Sequence, residues 1–226
     1  MDVSLYYTEE GAGSPLILLH GNGGDGSYFK SQIEHFAGRY RVIALDTRGH
    51  GRSPRGEAPF TIRQFAEDLR AFMDEKHIEK ADILGFSDGG NIALCFALKY
   101  PERVDRLILN GANLDPSGVK RSFQLPVELG YRFASRFAGK SPKARKNTEM
   151  MALMVNDPMI PEESLRSLQV ETLVIAGTND IIKQEHSEKI AALLPRARLF
   201  FIKGDHFIAA KVPEAFNRAV DEFLTR

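Results

Sequence analysis

The chain has 226 residues, of which 43% are hydrophobic and 27% charged, a composition typical of one soluble globular domain. Thirty Lys and Arg residues balance thirty Asp and Glu residues, so the net charge is zero and argues against a nucleic-acid partner held by overall positive charge. The single cysteine, Cys95, excludes an internal disulfide and a cysteine-rich zinc site.

The start of the chain and its hydropathy bear on localisation. No basic segment followed by an apolar run opens the sequence, and no stretch approaches the roughly 18 apolar residues of a membrane span. We therefore expect a cytoplasmic protein with no membrane partner and no nucleic-acid partner. No heptad pattern predicts an oligomeric state.

Short apolar segments alternate with helical patterns along the chain. Strands are predicted at residues 3–7, 16–20, 41–46, 81–86, 106–110, 172–176 and 198–202. Helices are predicted at residues 27–37, 61–77, 88–99, 183–193 and 213–224. Several strands are apolar throughout, which is typical of strands covered on both faces. The sequence therefore predicts an α/β fold with a mostly parallel central sheet flanked by helices.

One long region departs from this alternation. Residues 113–169 show helical patterns but no convincing strand, and a plain loop of that length is uncommon. We therefore predict a core domain of residues 1–112 and 170–226, with a helical cap inserted at residues 113–169. The cap has nine Lys or Arg residues against six Asp or Glu residues, a bias that indicates a solvated surface.

The first functional motif is a glycine-rich loop. Residues 21–26 read G-x-G-x-x-G after a predicted strand, and Asp46 ends the next strand. This arrangement is typical of dinucleotide-binding folds, in which a helix N-terminus holds the pyrophosphate and the acid holds the ribose. On this motif alone the protein would be an NAD-dependent oxidoreductase, although His20 would have no role.

The second motif is G-x-S-x-G at residues 85–89, between a predicted strand and a predicted helix. Its glycines allow a sharp turn that projects Ser87 above the end of the strand, as in a nucleophile elbow. A serine hydroxyl needs a base that is oriented by an acid. Asp180 and His206 each follow a predicted strand, so both should reach the same sheet edge as Ser87. Their order in the chain is nucleophile, acid, base.

These motifs together resemble the α/β-hydrolase fold superfamily, in its small, capped esterase and lactonase-like branch. The resemblance is carried by LLHGNG at residues 18–23, DTRGHGRS at 46–53, GFSDGG at 85–90, GTND at 177–180 and GDHF at 204–207. It covers nearly the whole chain outside the cap. It implies a catalytic triad of Ser87, Asp180 and His206, with the backbone amides of Asn22 and Asp88 as the oxyanion hole.

The resemblance implies a serine hydrolase that cleaves a small carboxylic ester or lactone through an acyl-enzyme on Ser87. No cofactor and no metal are implied, and the cap would supply specificity. The dinucleotide hypothesis becomes a remote alternative, because it leaves Ser87, Asp180 and His206 without a role. Two further hypotheses stay open: a carbon–carbon bond hydrolase of the same fold, and a ligand-binding module with an idle triad.

Two carboxylates depart from the family pattern. The side chain of Asp88 either forms a hydrogen bond near the N-terminus of its helix or binds substrate by selecting an amine group. The segment SDGG at residues 87–90 resembles the elbow of the biphenyl-hydrolase-like branch, which includes enzymes acting on amino-acid esters. Asp205 either raises the pKa of His206 or faces solvent.

The remaining polar residues of these motifs are interpreted as structural. Hydrogen bonding in turns around the site is expected for His20, Asp46, Arg48 and His50. Exposure on helix surfaces is expected for His35, His77 and His186, and Cys95 is expected to pack as a small core residue.

Overall fold

A seven-stranded sheet runs through the protein, which a computed structural model describes over residues 2–225. In chain order, strands β1 to β7 are Tyr7–Glu10, Ser14–Leu19, Tyr40–Leu45, Ala81–Phe86, Val104–Asn110, Glu171–Gly177 and Ala197–Ile202. Their spatial order is β1-β3-β2-β4-β5-β6-β7. Strand β1 is antiparallel to β3, whereas all remaining neighbours are parallel. The loops that follow the parallel strands therefore meet at one edge of the sheet.

Helices cover both faces of this sheet. In chain order, helices α1 to α9 are Lys30–Phe36, Ile62–Glu75, Asp88–Lys99, Arg121–Ala134, Pro142–Asn156, Glu162–Leu165, Gln184–Leu193, Ile208–Lys211 and Pro213–Leu224. Phe65 of α2 and Phe96 of α3 belong to the core on one face, and Phe36 of α1 and Phe216 of α9 to the core on the other. Within residues 2–225, no helix combines the length and apolar character needed to cross a membrane.

The two cores explain why the inner strands are apolar throughout. Along β2, Leu16 and Leu18 belong to one core, and Ile17 and Leu19 belong to the other. All four side chains are fully buried. Burying a side chain of this size contributes about 1.5–3 kcal/mol, so a strand buried on both faces gains from every residue. The predicted α/β fold with a mostly parallel sheet flanked by helices is confirmed.

The first predicted strand is wrong. The apolar pattern predicts a strand at residues 3–7, whereas β1 begins at Tyr7. Val3 and Leu5 are buried, so their pattern reflects core packing in an irregular segment. Strand β1 has one neighbour only, and its exposed Thr8 and Glu9 give no apolar signal. The remaining predicted strands are confirmed with small shifts at their ends.

Two further predictions need correction. The helix predicted at residues 27–37 divides into a 3-10 turn at Gly26–Phe29 and the shorter α1. His186 is buried rather than exposed, and its Nε2 accepts a hydrogen bond from the N–H of Leu114 at 2.9 Å. Burial lowers the pKa of this imidazole, which suits its role as a neutral acceptor. His35 and His77 are exposed, as predicted.

The segment between β5 and β6 is helical. Residues 113–169 contain α4, α5 and α6 and no strand. Polar contacts join helix α5 to the core: Glu149 pairs with Arg55 at 2.8 Å, and the carbonyl oxygen of Met150 accepts a hydrogen bond from Asn22 Nδ2 at 2.8 Å. The second contact joins this segment to the glycine-rich loop. The division into a core and a cap domain stays a prediction.

A buried ion pair holds the loop at residues 46–53. The Arg48 side chain is fully buried and pairs with Asp68 at 2.7 Å and with Asp2 at 2.6 Å. A buried guanidinium is tolerated only when its donors are satisfied in this way. Arg48 is therefore structural, as predicted.

Asp82 is a buried carboxylate at the N-terminal end of β4, whereas Ser87 follows the C-terminal end of the same strand. It lies near the start of β4, where the pairing of β4 with β5 shifts register. Within residues 2–225, its Oδ1 has no hydrogen-bond partner. Burial raises the pKa of this carboxyl from 3.8 to about 6, against the opposing effect of Arg106. The charged form of Asp82 thus opposes folding.

We predict that Asp82→Asn stabilises the protein, and more so at higher pH. The folded carboxyl keeps its proton up to about pH 6, whereas the unfolded one releases it near 3.8, so wild-type stability falls as pH rises through this window. The gain in free energy of unfolding should be about 2 kcal/mol larger at about pH 8 than at about pH 4.5. Urea unfolding at both pH values measures it, and equal gains would contradict the assignment.

Candidate active site

Ser87 lies on a strained turn between β4 and α3. Its backbone has φ 54° and ψ −121°, a conformation that costs about 1–3 kcal/mol for a residue with a side chain. The turn is held by a hydrogen bond from the N–H of Ser87 to the carbonyl oxygen of Asn110 at 2.8 Å. A Cβ at Gly85 would lie 2.2 Å from the carbonyl oxygen of Gly89, and one at Gly89 would lie 1.9 Å from that of Leu19. Both positions therefore require glycine.

His206 lies between Ser87 and Asp180. Its Nε2 is 3.0 Å from Ser87 Oγ, and its Nδ1 is 2.6 Å from Asp180 Oδ1. Asp180 follows β6 and His206 follows β7, and both are almost completely buried. The structure therefore brings together the three residues that the sequence singles out, in the predicted order of contacts.

The backbone orients the carboxylate of Asp180. Its Oδ1 accepts a hydrogen bond from the N–H of Ile182 at 2.9 Å, and its Oδ2 accepts one from the N–H of Gly177 at 3.3 Å. A carboxylate at Nδ1 favours the tautomer that carries its proton there, which leaves the lone pair of Nε2 directed at the serine. The ring of Phe86 packs against His206 at 4.8 Å between centroids. This arrangement can remove a proton from the Ser87 hydroxyl.

The glycine-rich loop packs directly against the serine. A Cβ at Gly21 would lie 3.0 Å from Ser87 Cβ, so the segment that carries Asn22 borders the nucleophile. Asp88 is the first residue of α3, and the N–H of a first helical residue has no partner within its helix. Free amides at a helix N-terminus suit a negatively charged oxygen. The amides of Asn22 and Asp88 thus lie on two segments that adjoin Ser87.

The carboxylate of Asp46 argues against a dinucleotide site. Its Oδ1 accepts a hydrogen bond from the N–H of Gly26, and its Oδ2 accepts one from the N–H of Arg52, both at 2.8 Å. The side chain is also buried. Because the side chain is buried and both oxygens already hold the backbone of the loop, its role is structural, as predicted.

The hydrogen bond predicted for the side chain of Asp88 is present, whereas its selection of an amine stays a prediction. Its Oδ1 is 3.3 Å from Asn91 Nδ2, a weak hydrogen bond near the N-terminus of α3. Its Oδ2 is buried and has no hydrogen-bond partner among the described residues. Burial and the nearby carboxyl of Asp157 raise the pKa of Asp88 to about 6, although His206 and the side-chain amides of Asn91 and Asn22 act in the opposite direction. One oxygen is used locally, and the second is unsatisfied.

Asp205 is directed to solvent rather than to the imidazole. It pairs with Lys211, and its Oδ1 accepts a hydrogen bond from the N–H of Phe207 at 2.9 Å. The Lys211 ammonium lowers the pKa of this carboxyl. The structure therefore supports a solvent-facing Asp205.

Three neighbours of the site do not stand out in the sequence. Asn91 and Asn113 form a reciprocal pair behind Asp88: Asn91 Nδ2 is 3.1 Å from Asn113 Oδ1, and the N–H of Asn113 is 2.9 Å from Asn91 Oδ1. Gly111 has φ 61°, and a Cβ there would lie 2.8 Å from Cε1 of His206. The signal that could have identified Gly111 is a glycine directly after a buried strand.

His20 supports the loop beside the serine. Its Nδ1 is 2.7 Å from the carbonyl oxygen of Gly21, and its Nε2 accepts a hydrogen bond from the N–H of Thr47 at 3.1 Å. His20 is fully buried, and burial lowers its pKa. The imidazole thus fixes two loops to each other and is structural, as predicted.

The other reactive groups of interest are the single cysteine, Cys95, and any cluster of side chains that could bind a metal. Burial raises the pKa of the Cys95 thiol to about 12, so it stays protonated near neutral pH. Across residues 2–225, no group of three His, Cys, Asp or Glu side chains is placed to hold a metal ion.

Comparisons with known proteins agree on one fold. A family model described as alpha/beta hydrolase fold matches residues 14–157. A Caulobacter protein named "Putative carbamate hydrolase RutD" is 30% identical, with 93% of this chain and 90% of that protein aligned. The 2-hydroxymuconate semialdehyde hydrolase of Pseudomonas putida is 32% identical, with 96% and 89% aligned.

A solved structure extends this similarity to the tertiary level. Est816, described as an N-acyl homoserine lactone degrading enzyme, superposes with a TM-score of 0.81 at 25% identity, over 98% of this chain and 97% of that one. These proteins share a fold with the chain and differ in the compounds for which they are named.

We predict that Gly111→Ala slows the reaction of Ser87 with a fluorophosphonate. The new methyl group would collide with the imidazole ring of His206 and move it away from the serine. A displacement of this kind should lower the labelling rate by about tenfold or more. Mass spectrometry of the labelled protein measures the rate and locates the label.

Gly38→Ala is the matched control, because a Cβ there meets no atom within 4 Å. Its labelling rate should equal that of the wild type. Equal rates for both variants would show that Gly111 does not position His206.

Proposed function

The chain belongs to the alpha/beta hydrolase fold family, and on that premise we propose that it is a serine hydrolase that cleaves a small carboxylic ester or lactone through an acyl-enzyme on Ser87. The prediction of a hydrolase of this fold is confirmed, whereas the reaction and its substrate are proposed. The observation that carries the proposal is the hydrogen-bonded chain from Ser87 through His206 to Asp180.

Acylation uses the serine and the imidazole together. Nε2 of His206 takes the proton of Ser87 Oγ while the oxygen attacks the carbonyl carbon of the ester. Asp180 stabilises the imidazolium that forms. The backbone amides of Asn22 and Asp88 hold the oxyanion, a contribution of about 3 kcal/mol for each donor. The imidazolium then gives its proton to the leaving alkoxide, and the acyl group stays on Ser87.

Deacylation repeats these steps with water. His206 takes a proton from a water molecule, and the hydroxide attacks the acyl carbonyl. The tetrahedral intermediate collapses and returns the proton from His206 to Ser87. The products are a carboxylic acid and the free enzyme, so the cycle needs no cofactor.

The cap is expected to bound the substrate pocket. The contact between Asn22 and Met150 places α5 beside the proposed oxyanion hole. A cover over the serine would exclude water and strengthen the interactions inside. Specificity in this proposal therefore resides in residues 113–169 as well as in the loops of the core.

A carbon–carbon bond hydrolase is the second candidate. The relative that is 32% identical is named for a muconate semialdehyde, a compound with no ester bond, so its hydrolysis has to break a carbon–carbon bond. A ligand-binding module with an idle triad would have the same contact between His206 Nε2 and Ser87 Oγ, so turnover rather than geometry separates it from a hydrolase.

Asp88 is proposed to select substrates that carry an amine. Its unsatisfied Oδ2 lies one residue from the nucleophile, and an ammonium group would supply the missing donor. The same carboxylate would disfavour a substrate with its own carboxylate by repulsion. This proposal refines the substrate class of the esterase and does not alter its mechanism.

We predict turnover of p-nitrophenyl esters that depends on Ser87. Ser87→Ala should lower kcat by at least about 10⁴-fold, because no second nucleophile replaces the serine. Asp180→Asn should lower it by a similar factor by removing the carboxylate that orients the imidazole. An ester series from acetate to octanoate would also measure the depth of the pocket.

The competing functions give different outcomes in the same assay. A folded wild type that hydrolyses vinylogous diketones but no ester would favour the carbon–carbon bond hydrolase. Tight binding of a compound without turnover would favour the ligand-binding role. Hydrolysis that persists in Ser87→Ala would contradict the proposed nucleophile.

We predict that Asp88→Asn acts selectively on amine-bearing esters. It should lower kcat/KM for an amino-acid ester by at least about tenfold, because a buried charge pair is lost, and leave a neutral ester of equal size nearly unchanged. In the wild type, the preference for the amine should fade as pH drops below about 6, where Asp88 becomes protonated. Equal losses of kcat/KM on both esters would contradict the proposal that Asp88 selects an amine.

A further inference from the structure

The end of the cap exposes a row of apolar side chains. Leu125, Leu129 and Phe133 are spaced by four residues, so they lie on one face of α4. Their exposed fractions are 40%, 56% and 64%. Single exposed apolar residues are ordinary, whereas several exposed apolar side chains on one helix face are typical of a contact surface.

Basic residues follow this row along the chain. No Asp or Glu occurs in residues 129–147. Five exposed basic residues of this stretch make no salt bridge with any carboxylate of residues 2–225: Arg132, Arg136, Lys140, Lys143 and Lys146. We name the row and these five cations the cap tip.

Apolar and charged groups are interleaved at the cap tip. The ring of Phe133 packs on that of Phe137 at 5.0 Å between centroids, and Lys140 Nζ lies 4.5 Å from the centroid of Phe137. The chain as a whole is neutral, so this stretch is a local segregation of positive charge. The basic bias of the cap, which indicated a solvated surface, is therefore concentrated near the exposed ring of Phe133 and the half-buried ring of Phe137.

Charge selects among the possible occupants. A second copy of the chain, paired about a two-fold axis, would place the five cations of one cap tip against those of the other. A nucleic acid would satisfy the cations but leave Leu129 and Phe133 in contact with water or phosphate. An anionic lipid surface accepts both, because the cations meet the headgroups while the apolar side chains enter the acyl boundary.

We propose that the cap tip docks the protein on the surface of an anionic lipid bilayer. The expectation of no membrane partner came from the lack of a membrane span, and surface docking requires no span. The inference does not depend on the esterase proposal, since the surface lies outside the proposed triad and its binding is measured without turnover.

Vesicle flotation with the full chain tests the proposal. The probe is phosphatidylcholine vesicles with about 30% phosphatidylserine, compared with pure phosphatidylcholine. The fraction bound should be at least about tenfold higher on the anionic vesicles and should fall to the neutral level in about 0.5 M NaCl. Equal binding to both vesicles, or none to either, would overturn the proposal.

Variants locate the surface. Arg136→Glu/Lys143→Glu and, separately, Phe133→Ser should each lower binding to anionic vesicles by at least about tenfold. Lys203→Glu/Arg218→Glu is the matched control, because it changes the net charge equally at exposed residues outside the cap tip and should bind as the wild type does. Loss of binding in the control as well would show that the net charge of the protein drives binding, and it would contradict the assignment of the lipid-binding surface to the cap tip.

Two controls test whether a loss of vesicle binding has another cause, either unfolding of the variant or self-association of the protein. All variants should keep the wild-type thermal unfolding transition and the wild-type rate of Ser87 labelling, and a variant that loses either is replaced by Leu129→Ser. Sedimentation equilibrium tests the second copy: a dimer that Phe133→Ser abolishes, in a protein that does not bind vesicles, would assign the row to self-association and overturn the lipid proposal.

Discussion

The parallel pairing of β2 and β4 through β7 is the constraint on which the candidate site depends. Hydrogen bonding in parallel register places the C-terminal ends of these five strands at one edge. Ser87, Asp180 and His206 are separated by up to 119 positions in the chain, yet each follows a strand that ends there. The strained turn at Ser87 is tolerated because β5 accepts its N–H and the glycines around it admit the neighbouring backbone.

Two carboxylates, each with one buried oxygen, show how position decides the consequence of an unsatisfied charge. Asp82 and Asp88 both have an oxygen without a partner among the described residues, and burial raises the pKa of both to about 6. Asp82 lies at the edge away from the triad, where the charge opposes folding. Asp88 lies next to Ser87, where the same cost is offset if a substrate supplies a donor.

The cap takes part in both the proposed hydrolase site and the proposed lipid-binding surface. Its α5 contacts the glycine-rich loop through Met150 and the core through Glu149. Its α4 presents the apolar row and the cations of the cap tip on the outside. One segment between β5 and β6 thus borders the proposed oxyanion hole and carries the proposed lipid-facing surface.

Local patterns were sufficient for much of this protein. Apolar strands with helices between them predicted the α/β fold, because strands buried on both faces favour apolar residues at most positions. The elbow motif with Asp180 and His206 identified the three residues that meet. The tertiary structure alone decided the edge strand β1, the burial of His186, the satisfied oxygens of Asp46 and the unsatisfied oxygen of Asp88. Each of these depends on which distant atoms come within hydrogen-bond distance, and the periodicity of the sequence does not specify those contacts.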